Sequence, residues 1–477
     1  MRVSQHYKLG RSQPTLDFVD VDVRGDARVF IDPRALRLLP SAWGDECVSL
    51  IQDFFTEVLR EIRAGNDPKA RQLLSALREP NETHLGLSRG RARGRALGRE
   101  SARDVWSALK TSDAVASGLL EDLEDSILMV EGIGSDIISD ITTNIIRQPL
   151  IEYTQSVAGM YGIPLEPDIY SGPLWDPQRA EWVEEYVSLP RTTSGKLLLV
   201  PKVIVRSRMD YDVNEYYRHY LLEYLRDVEL SANTELVYLL KDGRRRVNKT
   251  DLSKKYGSGK SAIVRETRNH PEVLERYRAD KRRRYQPPME HEAIAESEGT
   301  PSPDWQALLQ ALLATPTGPA AFAEYERAIE SLLSALFYPT LANPTMQREI
   351  HQGRKRIDLT YTNVATSGFF GWVSQHYSVP HVFVECKNYA ADPGNPELDQ
   401  LSSRFSPSRG QLGILTCRNF KDKGLFLRRC RDTANDQRGY ILVLDDEDLS
   451  RLVEERISAG TTSTFDLLKQ QFDGLIM

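Results

Sequence analysis

GRKRIDLTYTN (353–363) and HVFVECKNY (381–389) are the stretches that decide how the C-terminal third of this 477-residue chain folds. In the first, Ile357, Leu359 and Tyr361 alternate with Asp358 and Thr360, the two-residue period of a strand with one buried face. In the second, Val382, Val384 and Cys386 share one face while Phe383, Glu385 and Lys387 share the other. Glu385 and Lys387 therefore stand side by side. Pairing of the two strands with Asp358 near Glu385 would bring two carboxylates and an ammonium to one sheet edge. Working outward, the pattern predicts helices at about 303–314 and 319–337 before these strands. After them it predicts a helix at 396–404, a strand at 411–417, a helix at 421–435, a strand at 439–444 and a helix at 446–457. That alternation describes an αβ sandwich around a mixed sheet, one domain over 306–477 of a multidomain α/β chain.

Two carboxylates, a lysine and a backbone carbonyl are what phosphodiester hydrolysis needs. Mg2+ (or Mn2+) takes oxygen ligands and keeps several waters, so Asp358, Glu385 and the Cys386 carbonyl suit it. Lys387 can orient or deprotonate the attacking water, or offset charge on the phosphorane. The helix AFAEYERAIESLLSALF (321–337) adds Glu326 and Glu330, one turn apart on one face, either of which could hold a second metal or a metal-bound water. An ExK triplet alone recurs by chance roughly once or twice in a charged chain of this length, and its ordinary role is a cross-strand salt bridge. Its setting is what distinguishes it: it closes a strongly apolar strand, follows an alternating strand with a lone Asp, and has a Glu-bearing amphipathic helix before both.

This helix–Asp strand–ExK strand–helix order, over roughly residues 306–450, resembles the PD-(D/E)xK nuclease superfamily. The resemblance implies a restriction-endonuclease-like fold and a Mg-dependent endonuclease acting on DNA, with RNA as the alternative substrate. It implies metal binding by Asp358 and Glu385, assistance to the water by Lys387, and, from F-x-x-Y-E, Glu326 as the helical acidic residue. Defence against phage or foreign DNA is the setting it suggests. No Pro precedes Asp358, and the connection carrying TSGFFGWVSQHYSVP (366–380) is long, which predicts a hairpin or loop beside the site. Asn388, Asp399 and Gln400 lie where such domains place supporting polar groups. The competing reading is an inert copy of the fold in a DNA-binding or regulatory protein.

The net charge of −6 is unevenly spread: residues 244–284 carry fifteen Lys/Arg against five Asp/Glu, about +10, leaving about −16 elsewhere. Within this segment (241–285), GKS invites a phosphate-loop reading but the preceding spacing is wrong and no apolar strand leads into it. LSKKYGSGKSAIVRE (252–266) has the small–turn–apolar spacing of a helix-turn-helix, with Gly257 opening the turn and 261–268 as recognition helix. Lys260, Arg265 and Arg268, with Arg282 and Arg283 further on, are then candidates for nucleic-acid contact; a plain basic helical hairpin is the alternative. A second cluster, Arg89, Arg91, Arg93, Arg95 and Arg99, sits in a Gly-rich loop.

Residues 1–240 predict an α+β, mainly helical region of sensing, regulatory or oligomerising role, compatible with a homo-oligomer. Short strands are expected in TLDFVDVDV (15–23) and ARVFID (27–32), helices over 45–80 and 101–160, a break at IPLEPDIYSGPLWDPQ (163–178), a buried strand at LLLVPKVIV (197–205) and an aromatic-rich helix at 211–228. Asp136, Asp140 and His84 read as caps or surface groups. QPPMEHEAIAESEGTPSPDW (286–305), with little to bury, predicts a linker. Four cysteines without paired spacing, no apolar run long enough for a bilayer and no signal peptide predict a cytoplasmic protein without membrane contact.

Overall fold

The structure, a computed structural model, is described over residues 1–86, 99–284, 286–350, 355–460 and 464–477. Its buried apolar side chains form two main clusters. One runs from Val3 to Ile294 and also takes in Tyr338, Ala342 and Val364; the other runs from Leu309 to Leu475.

The second cluster is built on a five-stranded mixed sheet: β1 (Leu341–Ile350), β2 (Lys355–Asn363), β3 (His381–Lys387), β4 (Leu412–Cys417) and β5 (Tyr440–Leu444). The strand order is β5-β4-β3-β2-β1, with β3, β4 and β5 parallel and β2 antiparallel to both neighbours. The parallel runs VFVEC, LGILTC and ILVL are buried throughout, because helices cover both faces of the sheet. Helix α1 (Phe322–Leu336) packs on β1 and β3, beside the helices Trp305–Leu313 and Asp446–Ala459. Helix α2 (Asn395–Ser402) lies against β4 and β5 with its neighbour Lys423–Asn435. The predicted helices and strands of this region form as the periodicity requires. Three elements escaped it: β1, the helix Gly368–His376 where a hairpin or loop was expected, and the helix Asp466–Ile476. In β1, Pro344 interrupts the pattern, and Asn343 and Gln347 take positive φ (51° and 54°), so no two-residue period is available to read.

The first cluster is mainly helical. Cys47, Ile51, Phe54, Phe55, Val58 and Leu59 line the buried stripe of the helix Ala42–Arg63, as their spacing predicts. The stretch 163–178 is not a break: Glu166–Asp176 and Glu181–Leu189 form a hairpin that lays Trp175 and Trp182 on Phe54. The expected strand at 197–205 is buried but irregular. Leu199 N–H donates to Thr154 Oγ1 at 2.9 Å rather than to a ladder, and Pro201 leads into a 3-10 turn at Lys202–Ile204. Residues 16–22 form no regular strand and are held by isolated bridges such as Phe18 with Pro201, whereas within 27–32 Phe30–Ile31 is a short regular strand.

Residues 286–305 are not a free linker. The helix His291–Glu298 buries His291, Ile294 and Ala295, and the His291 Nε2–H donates to the Ala335 carbonyl at 3.0 Å. Arg2 Nη2 donates to the Glu298 carbonyl at 2.9 Å. The Pro/Glu/Ser composition misled because a few apolar or small residues at helical spacing suffice to dock so short an element. Further contacts tie the clusters together: Asn343 N–H donates to Asp17 Oδ1 at 3.0 Å, and Arg11 forms an ion pair with the fully buried Glu330. Among the described residues no helix is long and apolar enough to cross a membrane, and all four cysteines are free and buried.

Candidate active site

The ladder between β2 and β3 runs from Thr362–His381 to Leu359–Val384. Beyond it, the Cys386 N–H is taken by the side chain of Asp358, whose Oδ2 accepts it at 2.9 Å. The strands thus part at the carboxyl end of β3 with a carboxylate between them. An extended residue sends N–H and C=O to the same edge, so the Cys386 carbonyl lies on the Asp358 side of the strand. Its thiol is buried in the core, as the alternation predicts, and burial raises its pKa well above the ordinary thiol value.

Glu385 and Lys387 are neighbours on the opposite face, with Lys387 Nζ 3.0 Å from Glu385 Oε1. Gln400 of α2 closes the group: Lys387 donates to its Oε1 at 3.2 Å, and its Nε2 donates to Glu385 Oε1. Glu385 Oε2 is buried and has no hydrogen-bond partner among the described residues. Burial raises the Glu385 pKa, and the nearby Asp358 raises it further against the pull of Lys387. Burial likewise raises Asp358, offset in part by the Cys386 N–H and Lys387. Burial alone would lower the Lys387 pKa, but the Glu385 carboxylate outweighs it and the ammonium is stabilised.

Glu326 joins from the first turns of α1. Burial, with Asp358 next and Glu385 a smaller contributor, pushes its pKa up to about 7. Gln347 Nε2 donates to both of its oxygens, at 2.8 and 2.9 Å. Glu330 does not join: paired with Arg11 and accepting from Ser334 Oγ at 3.0 Å, it faces the first cluster. Of the supporting polar groups named from the sequence, only Gln400 is at the site. Asp399 pairs with Arg438 at 2.7 Å on the surface, and Asn388 donates to the Pro316 and Gly318 carbonyls at 2.9 and 3.1 Å. Gln347 and the buried Arg404, which acts electrostatically on Asp358 and Glu385, were not foreseen. For Arg404 a signal existed in its place just past α2; for Gln347, in an unread strand, there was none.

Among the described residues no three His, Cys, Asp or Glu side chains stand ready as a complete metal cage. The donor set fits a more hydrated cation, which takes one or two carboxylates and keeps its waters. The unpartnered Glu385 oxygen and the repulsion that Asp358 exerts on Glu326 and Glu385 are what such a cation would relieve.

In the basic segment, the helices Lys249–Tyr256 and Lys260–Asn269 are joined by a tight turn in which Gly257 (φ 82°) and Gly259 (φ 85°) take conformations other residues resist. Much of the charge is neutralised locally: Arg278 pairs with Asp125 at 2.5 Å, Lys281 with Glu215 at 2.6 Å and Lys255 with Glu229 at 2.5 Å. Lys260 is a correction to the expected contact set. Its ammonium donates to the Val130 and Ile133 carbonyls, both at 2.7 Å, and so ties the helix to the first cluster. Arg265 leans on Glu266 and the Tyr256 carbonyl, whereas Arg268, Arg282 and Arg283 are exposed. The cluster Arg89, Arg91, Arg93 and Arg95 lies outside the described residues, as does the side chain of Arg99. Asp136 is exposed in the first turn of the helix Ser135–Ile145, a surface group as expected, whereas burial first, then repulsion from Asp136, Glu79 and Asp26, push the Asp140 pKa up to about 8. Half-buried His84 lies beside Asp26 and Asp22, and burial lowers its pKa.

Residues 8–212 match the model of a family described as a domain of unknown function, DUF8370. The match ends well before the carboxylate cluster. No curated protein matches the chain. The crystal structure of protein VC1899 from Vibrio cholerae is similar over 53% of this chain and 50% of that chain, at 14% identity and a TM-score of 0.21. The chain thus spans about half the length of that protein, and the likeness is too slight to define a shared fold.

Proposed function

We propose that this chain is a metal-dependent endonuclease hydrolysing phosphodiester bonds in DNA, with defence against phage or foreign DNA as its setting. The observation that carries the reading is the meeting of Asp358, Glu385 and Lys387 where β2 and β3 part, with Glu385 Oε2 buried and unpartnered. A restriction-endonuclease-like fold belongs to the same proposal and is supported by the order α1, β2, β3, α2 around a mixed sheet. Asp358, Glu385 and the Cys386 carbonyl would hold Mg2+ or Mn2+, which when bound supplies Lewis acidity toward a phosphoryl oxygen and acidifies water.

The protein's own groups divide the remaining work. Lys387, its proton held by Glu385, acts as an ammonium that orients the attacking water and offsets charge on the phosphorane, rather than as the base. Gln400 fixes the Lys387–Glu385 pair in one geometry. Glu326, half-ionised near pH 7, is the group suited to accept the proton of that water. The exposed Arg268, Arg282 and Arg283 are available to phosphates, and the helical pair around Gly257 favours duplex DNA over RNA.

Purified full-length protein with Mg2+ or Mn2+ should cut at least one of linear, supercoiled or single-stranded DNA, with RNA the weaker substrate. Asp358→Ala and Lys387→Ala should each lower the rate by at least about a hundredfold. Cutting that survives both substitutions removes the assignment. DNA binding by protein that never cuts returns the chain to the binding or regulatory class.

A further inference from the structure

We infer that a cleft in the first cluster, remote in sequence from the carboxylates, grips the phosphodiester backbone of a nucleic-acid strand; that the strand is the substrate rests on the nuclease reading. The cleft, about 690 Å3, lies between the turn at 208–215, the π-helical segment Tyr216–Leu221 and the end of the helix Pro271–Arg283. Arg208, Arg218, His219 and Arg284 line it.

Its acidic groups are already engaged. Glu215 pairs with Lys281 at 2.6 Å, Asp210 with Lys281 at 3.4 Å and with Arg34, and Asp212 Oδ1 accepts the Glu215 N–H at 2.7 Å as a helix cap. Arg208, Arg218 and Arg284 are exposed, and none forms an ion pair among the described residues. Three guanidinium groups without ion-pair partners among the described residues, around a concavity whose carboxylates are paired with Lys281 and Arg34 or, for Asp212, spent on a helix cap, are the electrostatic footprint of phosphate binding. Wide π-type turns recur at functional sites, and here one carries Arg218 and His219 side by side.

A strand suits the cleft better than a small nucleotide. Small-ligand pockets are mostly apolar or aromatic-walled, whereas Tyr211, an aromatic ring of this wall, is itself buried. Positive charge continues beyond the rim through Arg282 and Arg283, which adjoin Arg284 and are exposed, so a polyanion can run out along it.

The test is fluorescence anisotropy of a labelled single-stranded oligonucleotide on the full-length chain in EDTA, where no cutting occurs. Arg208, Arg218 and Arg284 are changed together to Ala, together to Lys, and compared with a control removing exposed Arg24, Arg179 and Arg191. Losing three phosphate contacts should flatten the salt dependence by about 2 in log K against log salt, roughly a hundredfold weaker binding at 0.1 M salt. The Lys variant should recover most of that, and the control should lose little. Equal losses in the cleft and control variants overturn the proposal, as does displacement of the oligonucleotide by micromolar nucleoside triphosphate. Cleft-dependent binding by a wild-type protein that never cuts would sustain the cleft and sink the nuclease. Normal cutting with unchanged binding in the triple Ala variant would do the reverse.

Discussion

The substitution Glu326→Gln exchanges one oxygen for an amide nitrogen on a side chain that is 6% exposed, and its effect can be worked from the site. The carboxyl is raised from its ordinary 4.5 to about 7, first by burial and next by Asp358. At about 1.4 kcal/mol per unit, holding it ionised in the metal-free fold costs up to about 3 kcal/mol. The sign follows from linkage. A carboxylate whose folded pKa is raised contributes stability in full below its unfolded pKa, and loses it as pH rises through the folded value. The wild type should therefore lose up to about 3 kcal/mol between roughly pH 4.5 and pH 8 from this group alone. The substituted amide would not ionise, and its carbonyl would still accept from Gln347 Nε2. In chelator, E326Q should match the wild type near pH 4.5 and exceed it near pH 8 by up to roughly 3 °C in melting temperature, at about 1 °C per kcal/mol for a chain of this length. Adding Mn2+ should narrow the gap, because a cation offsets the repulsion that the substitution removes. Thermal denaturation at both pH values, with and without Mn2+, decides the matter. A difference between the two proteins that does not change with pH would refute the reasoning.

Other outcomes follow from the same geometry. Mn2+ affinity of the wild type, measured by calorimetry, should rise as pH climbs toward 7, since the cation competes with protons on Asp358 and Glu385, both raised by burial, and on the neighbouring Glu326; a flat profile would exclude this linkage. Arg11→Ala strands the buried Glu330 and should cost about 3–5 kcal/mol in chemical denaturation, whereas replacing both residues by apolar ones should cost far less. Asn388→Ala leaves the Pro316 carbonyl without its donor, whereas Gly318 keeps the Ala321 N–H at 3.2 Å, and should cost about 1–3 kcal/mol by the same measurement. Gln400→Ala should slow cutting by about 10- to 100-fold, as loss of a supporting contact does at metal sites, and leave substrate binding in EDTA unchanged.

The strands around Asp358 and Glu385 were legible because a half-buried strand writes a two-residue period into its side chains, and a run such as VFVEC has few other homes. The same period placed Cys386 in the core and Glu385 beside Lys387. β1 was illegible for a local reason: its positive-φ residues and Pro344 destroy the alternation, and Gln347 was lost with it. The basic segment misled in another way. Charge counted along the chain says nothing about partners distant in sequence, and Lys260 finds the carbonyls of Val130 and Ile133 while Arg278 finds Asp125. What survived as candidate contact surface are exposed arginines outside the ion pairs, and two of them, Arg208 and Arg218, lie beyond the segment that charge counting marked.

The division between the two clusters is less sharp than the sequence implies, and the reason lies on α1. Glu326 and Glu330 are one turn apart. One faces the carboxylate cluster; the other is fully buried, and Arg11, within the DUF8370 match, is its cationic partner. A buried carboxylate deprived of its cation is costly, so the first cluster cannot move away from α1 without penalty. Lys202 works in the same sense: buried in the first cluster, it donates to the Pro14 carbonyl at 3.0 Å and sits 4.1 Å from the ring of Tyr338, just past α1. The helix that brings Glu326 to the carboxylates is thus clamped at its next turn by residues of the N-terminal region. A displacement of that region would therefore bear directly on the placement of Glu326, a carboxyl whose ionisation is balanced near neutral pH.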